Sequence, residues 1–167
     1  HLCDNLDSCD SFIRNVNIRD EGITAENKDI NKFVTALNNI TKHVMASIED
    51  LDVLDDIIEL GHMIAGGEDA FVENPVLSMI TCIVKSPLQI VDDTAYKTMA
   101  IARRRVPLVI SSSPMAGTTA PFDEFGMVAQ INAEILTGIA LTQLVQPGAP
   151  VLYGSVPVRT RLDTLND

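Results

Sequence analysis

The hydrophobic positions along this chain change period several times. Short, largely apolar runs stand at residues 43–48, 77–84, 108–110 and 150–154. The run Leu108, Val109, Ile110 shows no alternation, which predicts a strand buried on both faces, as in a parallel sheet. Between the runs the spacing becomes helical. Ile30, Phe33, Val34 and Leu37 follow i, i+3, i+4, i+7, and Leu51, Leu54, Ile58 and Gly61 line one face of a second helix. Thr24, Asp50 and either Asp92 or Asp93 read as N-caps. Pro121, with Asp123 and Glu124, opens a long helix at residues 122–145. Gly66-Gly67 and Pro147-Gly148 are stop signals. A short helical turn at 68–73 ends before Pro75, and a helix runs from 92 to about 105. The first residues predict a helix at 4–14 and a short strand at 16–18.

The resulting order is β-α repeated about four times, plus a final strand. Strands separated by helices of ten or more residues pair in parallel through right-handed crossovers. The fold class is α/β, and two architectures fit: an open doubly wound sheet or a partial (β/α)8 TIM barrel. A full barrel takes about 250 residues, so these 167 residues would supply only part of one. Its open edge would then need cover from another copy or from further chain. No Gly/Ser linker divides residues 1–167, which read as a single α/β segment. The tail at 156–167 carries no evident closing element.

Composition narrows the function. Hydrophobic content is 46% and net charge is −11, so a globular fold is expected and nucleic acid is a poor partner. The one basic run, Arg103-Arg104-Arg105, closes a helix and complements its dipole. No apolar run approaches the roughly 18 residues of a membrane span. His1-Leu2-Cys3-Asp4 has no basic leader and no initiator Met, which suggests an internal or processed segment. The three cysteines form no C-x-x-C. A disulfide scaffold or zinc site is therefore not expected, and a reduced, cytoplasmic setting is. Cys82, within an apolar run, is expected to be buried.

The loop at 111–121 is the richest candidate for chemistry. Loops after the carboxyl ends of parallel strands bind ligands, and this one is longer than a connection needs. It lacks a P-loop, a dinucleotide fingerprint and a nucleophile elbow. What remains is a helix N-terminus with the hydroxyls of Thr118 and Thr119. It could hold an anion such as a carboxylate, or serve only as cap and packing. His43 and His62 have no partners at metal-ligand spacing, so no metal site is expected. Glu134 is a lone carboxylate in a small and apolar stretch. A solvated rim position is the simpler expectation, and an inward one would be functional. The acidic stretch 49–59 reads as a solvated helix face. Tyr153, ending a strand, offers a π face to a quaternary ammonium or packs at the rim. Lys85 is the sole Schiff-base candidate for an unrelated, aldolase-like barrel.

Several segments together resemble the trimethylamine methyltransferase family. They are Ser86-Pro87-Leu88, Ser113-Pro114-Met115-Ala116-Gly117-Thr118-Thr119-Ala120-Pro121, Asn132-Ala133-Glu134-Ile135-Leu136-Thr137-Gly138 and the run from Gln143 through Pro147-Gly148 to Tyr153-Gly154. Gly66-Gly67-Glu68 and Asn74-Pro75 add to the pattern. The resemblance is specific from Gly66 to Ser155. It implies a barrel and a substrate of trimethylamine or glycine betaine type. It also implies methyl transfer to the cobalt of a separate corrinoid protein, with methanogenesis as one setting. On that implication the chain binds no cofactor itself, cobalamin being carried by the partner. Some family members carry pyrrolysine beyond the stretch matched here. The fragment alone would be inactive, and the parent would be a homo-oligomer. Successive parallel strands would then bring Ser86, Met115, Gly117, Thr118 and Tyr153 to one mouth as substrate-binding residues. Arg159 or Arg161 would assist if the tail folds back. A non-catalytic α/β binding module is the alternative.

Overall fold

The computed structural model describes residues 2–13 and 20–159. The chain forms two compact units, residues 1–80 with 105–107, and residues 81–104 with 108–167. Its pairings are mostly parallel, so the fold is α/β, as the alternating pattern predicts.

The first unit begins with β1 (Ser11–Ile13), α1 (Lys28–Leu37) and β2 (His43–Ala46). Then come α2 (Leu54–Ala65), α3 (Glu68–Glu73) and β3 (Leu77–Thr81). β1 and β2 pair in parallel with Phe12 opposite Val44. β2 and β3 pair in parallel with Met45 opposite Ser78. The expected helix at 4–14 is not formed: residues 2–8 make turns and β1 follows. Asp, Asn and Ser there compete with the backbone for hydrogen bonds, and Asp4 accepts from both the backbone N–H and the hydroxyl of Thr41. The strand expected at 16–18 lies outside the described residues. α2 buries Leu54, Ile57, Ile58 and Gly61. It ends where Gly66 enters the left-handed region at φ 93°, a conformation that favours glycine. Gly61 is required by closeness, since an added Cβ would lie 2.8 Å from the Phe71 ring.

A buried ion pair anchors α1. Lys32 Nζ donates to Asp29 Oδ1 at 2.9 Å and to the Ser47 carbonyl at 3.0 Å. Asp29 Oδ2 in turn accepts from the backbone N–H groups of Glu49 and Asp50. The loop after the carboxyl end of β2 is therefore held by a helix side chain.

The second unit holds a hairpin, β4 (Val84–Lys85) and β5 (Gln89–Ile90), then α4 (Asp92–Arg103), β6 (Leu108–Ile110), α5 (Glu124–Val145) and β7 (Val151–Tyr153). The run 77–84 is thus not one strand. It stops at Thr81, and Val84 pairs antiparallel with Ile90. Cys82, at that break, is exposed rather than buried. β6 is buried along its length and pairs in parallel with β7, Leu108 opposite Val151. α5 turns Ile131, Glu134, Ile135, Gly138 and Thr142 inward. Phe125 and Leu144, on the same helix, are exposed. By length and composition alone α5 is apolar enough to cross a membrane. Counting unbroken apolar runs overlooks it because Gln130, Asn132 and Glu134 interrupt the run.

Gly138 lets α5 approach β6. A Cβ there would lie 2.5 Å from Ile110 Cγ2 and 2.8 Å from Ile83 Cγ2. Overpacking of this kind costs about 1–3 kcal/mol. Gly138→Ala is expected to lower unfolding free energy by that amount in chemical denaturation. Gly22→Ala, with nothing within 4 Å of the added carbon, is the control and should change it by less than about 0.5 kcal/mol.

Candidate functional site

In the second unit the segments that follow β3 and β6 meet α5 at one side chain. Glu134 is only 1% exposed. Its Oε2 accepts from Ser86 Oγ at 2.7 Å and from the Ser112 hydroxyl. Its Oε1 accepts from the Leu88 N–H at 3.1 Å and from Gln130 Nε2 at 2.9 Å. Ser86 and Leu88 belong to the β4–β5 turn, across a cis Ser86-Pro87 bond. Leu88 has φ 54°, rarely adopted by a side-chain-bearing residue. In that conformation its N–H reaches the carboxylate, and a hydrogen bond to a charged acceptor offsets local strain.

Burial alone would raise the carboxyl pKa. The bonds from Ser112, Ser86, Leu88 and Gln130 outweigh it and hold Glu134 below the usual range. All four donors are neutral, so the negative charge is dispersed rather than cancelled. The rim position expected for this residue is therefore wrong. The signal was in the spacing: Ile131, Glu134, Ile135, Gly138 and Thr142 keep helical phase, and Glu134 falls inside the buried stripe.

The loop 111–121 is held by its own backbone and by the chain after β7. The Met115 carbonyl accepts from the N–H groups of Thr118, Thr119 and Ala120. Thr118 Oγ1 also donates to it at 3.2 Å, and Thr119 Oγ1 accepts from the Met115 N–H at 2.8 Å. Gly117 sits at φ 82°. Ala116 and Val156 donate to the carbonyls of Val158 and Ser112. Met115, Gly117 and Thr118 therefore form one rigid turn. Gln130 Nε2 also donates to the Thr119 carbonyl at 2.8 Å, linking that turn to the Glu134 cluster.

The anion reading of this loop does not survive. Thr118 and Thr119 are not at the helix start; both hydroxyls serve the turn. α5 begins after Asp123, whose side chain accepts from the Gly126 N–H at 2.8 Å. A carboxylate already occupies the helix N-terminus, and Glu124 stands beside it. The chain does fold back after β7, but Arg159 pairs with Glu124 at 2.7 Å and lies over the Phe122 ring at 5.1 Å. Arg161 lies outside the described residues.

Ser86 is half-buried and joins the Glu134 cluster directly. Met115, Gly117 and Thr118 join it through Gln130. Tyr153 does not share it: 52% exposed, it donates from its hydroxyl to Asn132 Oδ1 at 3.3 Å. Lys85 is exposed on β4. In the first unit, His43 contacts the Pro75 carbonyl and the Ser78 hydroxyl, and His62 packs edge-on to Phe71. Among the described residues no group of three or more His, Cys, Asp or Glu is placed to hold a metal.

Glu134 also makes stability depend on pH. Its pKa is depressed on folding, so its contribution is complete above the unfolded carboxyl value, near 4.5, and is lost as pH falls through the lower folded value. Denaturant midpoints measured from neutral pH into the acid range should show Glu134→Gln as less stable at neutral pH and with a shallower acid decline. Parallel acid profiles for the two proteins would contradict the account.

The chain is similar to proteins named as trimethylamine and glycine betaine methyltransferases. It is 34% identical over 154 residues to trimethylamine methyltransferase MttB of Desulfitobacterium hafniense strain DSM 10664 / DCB-2, covering 92% of this chain and 30% of that protein. It is 35% identical over 142 residues to a glycine betaine methyltransferase of D. hafniense strain Y51, covering 80% and 29%. It is 33% identical over 158 residues to trimethylamine methyltransferase MttB of Methanosarcina barkeri, covering 92% and 31%. The chain thus spans about 30% of the length of these relatives. The trimethylamine methyltransferase (MTTB) family model matches residues 13–164, nearly the whole chain with the Glu134 cluster inside it, and the chain belongs to that family.

Proposed function

We propose that this chain is part of a methyltransferase that takes a methyl group from a methylated amine, of trimethylamine or glycine betaine type. The acceptor is the cobalt of a cognate corrinoid protein. Family membership, with relatives named for both substrates, carries this reading. The parallel βα order supports a larger (β/α)8 barrel to which the chain contributes four βα units and a final strand. In such barrels loops past the strands' carboxyl ends build the site. Ser86 and the turn holding Met115, Gly117 and Thr118 follow β3 and β6 in that sense, and Tyr153 ends β7.

The chemistry asks little of these residues in bond-making. Cobalt(I), when delivered by the corrinoid protein, supplies the nucleophile. The enzyme has to bind the amine, exclude water and aim one methyl carbon in line. Ser86, Met115, Gly117, Thr118 and Tyr153 are assigned to substrate binding, with the Tyr153 ring as a π surface for the ammonium. The rigidity of the Met115 turn serves the aim, because small misplacements are costly in a positioned reaction.

The test is full-length enzyme with its corrinoid protein reduced to cobalt(I), followed by the absorbance change on cobalt methylation. Trimethylamine or glycine betaine should drive it. A protein that binds but turns nothing over would show no change, and the reading would fall. Tyr153→Ala should raise KM by about 2- to 30-fold, the worth of a cation–π contact. Thr118→Ala should also weaken amine binding. The thermal midpoint should move little in either variant.

A further inference from the structure

We infer that Glu134 is the specificity-determining counter-charge of this site, selecting a cationic amine head through the Ser86 hydroxyl rather than by touching the substrate. The inference rests on the methylated-amine reading above and deepens it. A quaternary ammonium carries no N–H, so a hydrogen-bond acceptor cannot hold it by a directed bond. It is recognised by negative charge, oxygen lone pairs and π faces. Ser86 has one hydroxyl proton and donates it to Glu134 Oε2 at 2.7 Å. An approaching ligand therefore meets only lone pairs on that oxygen, polarised by the buried carboxylate behind it. Ser112 donates to the same oxygen but is fully buried, which leaves Ser86, half-buried, as the outward member.

Other features fit a charge kept for a ligand. The Glu134 donors are two hydroxyls, a backbone N–H and an amide, none of them a cation. In the same unit Lys97 pairs with Asp93 and Arg159 with Glu124. A carboxylate nearly free of solvent acts through a lower effective dielectric than a surface one, so its field at the mouth is less screened. A carboxylate serving only to tie loops together would gain from a buried cationic partner, as Asp29 does from Lys32 in the other unit.

The experiment compares glycine betaine with its uncharged-centre isostere, 3,3-dimethylbutanoate, in which carbon replaces the ammonium nitrogen. Both are carboxylates of the same shape. Affinities are measured by titration calorimetry on the full-length enzyme and on Glu134→Gln, which keeps the side-chain outline. Wild type should prefer the betaine. The variant should compress that preference at least about tenfold, through weaker betaine binding, with isostere affinity nearly unchanged. Equal weakening of both ligands would make Glu134 a structural tie and overturn the inference; so would an unchanged preference. If wild type binds none of trimethylamine, glycine betaine and tetramethylammonium, the methylated-amine reading fails and takes this inference with it. Should Glu134→Gln not fold, Ser86→Ala leaves three donors on the carboxylate. It should shrink the same preference severalfold, and an unchanged preference there overturns the inference equally.

Discussion

The carboxylate of Glu134 is the point on which the second unit's loops depend. Two hydroxyls, a backbone N–H and an amide converge on it from three separate stretches of chain. A buried charge is tolerated only when its hydrogen-bonding capacity is filled. The requirement works in both directions. Glu134 needs the donors, and the donors are held in place by needing it. The β4–β5 turn, with Leu88 in its left-handed conformation, and Ser112 at the end of β6 are each positioned by the same acceptor.

The first unit repeats the device with different parts. Asp29 on α1 accepts from Lys32 and from two backbone N–H groups in the loop after β2. Burial pushes its pKa up, and the bonds from Asp50, Lys32 and Glu49 more than reverse that. In each unit, then, a helix carboxylate secures the segment beyond a parallel strand's carboxyl end. The difference is the cation. Asp29 has one, and among the described residues the donors to Glu134 are neutral, which separates a structural pin from a charge available to act outward.

The local geometry also explains why the Ser- and Thr-rich loop is not an anion site. Its hydroxyls and N–H groups close on the Met115 carbonyl, and the α5 N-terminus is already filled by Asp123. A small-residue loop can be long because it is a compact structural turn. Its rigidity suits a site whose task is positioning.

Periodicity and punctuation determined most of the local structure. The strand at Leu108–Ile110, the short helix at Glu68–Glu73 and the glycine stop after α2 were legible because each depends on nearby residues. The family too was legible, from the order and spacing of short segments between Gly66 and Ser155. What sequence misjudged depended on distant partners. The run from Leu77 to Val84 splits because Val84 finds Ile90 across a hairpin, which also leaves Cys82 exposed. Thr118 reads as a helix cap until the turn around Met115 claims it. Glu134 reads as a rim residue, since an isolated carboxylate costs too much to bury. Only the tertiary fold, by bringing Ser86, Leu88, Ser112 and Gln130 to one place, makes its burial affordable in free energy and gives its charge a use.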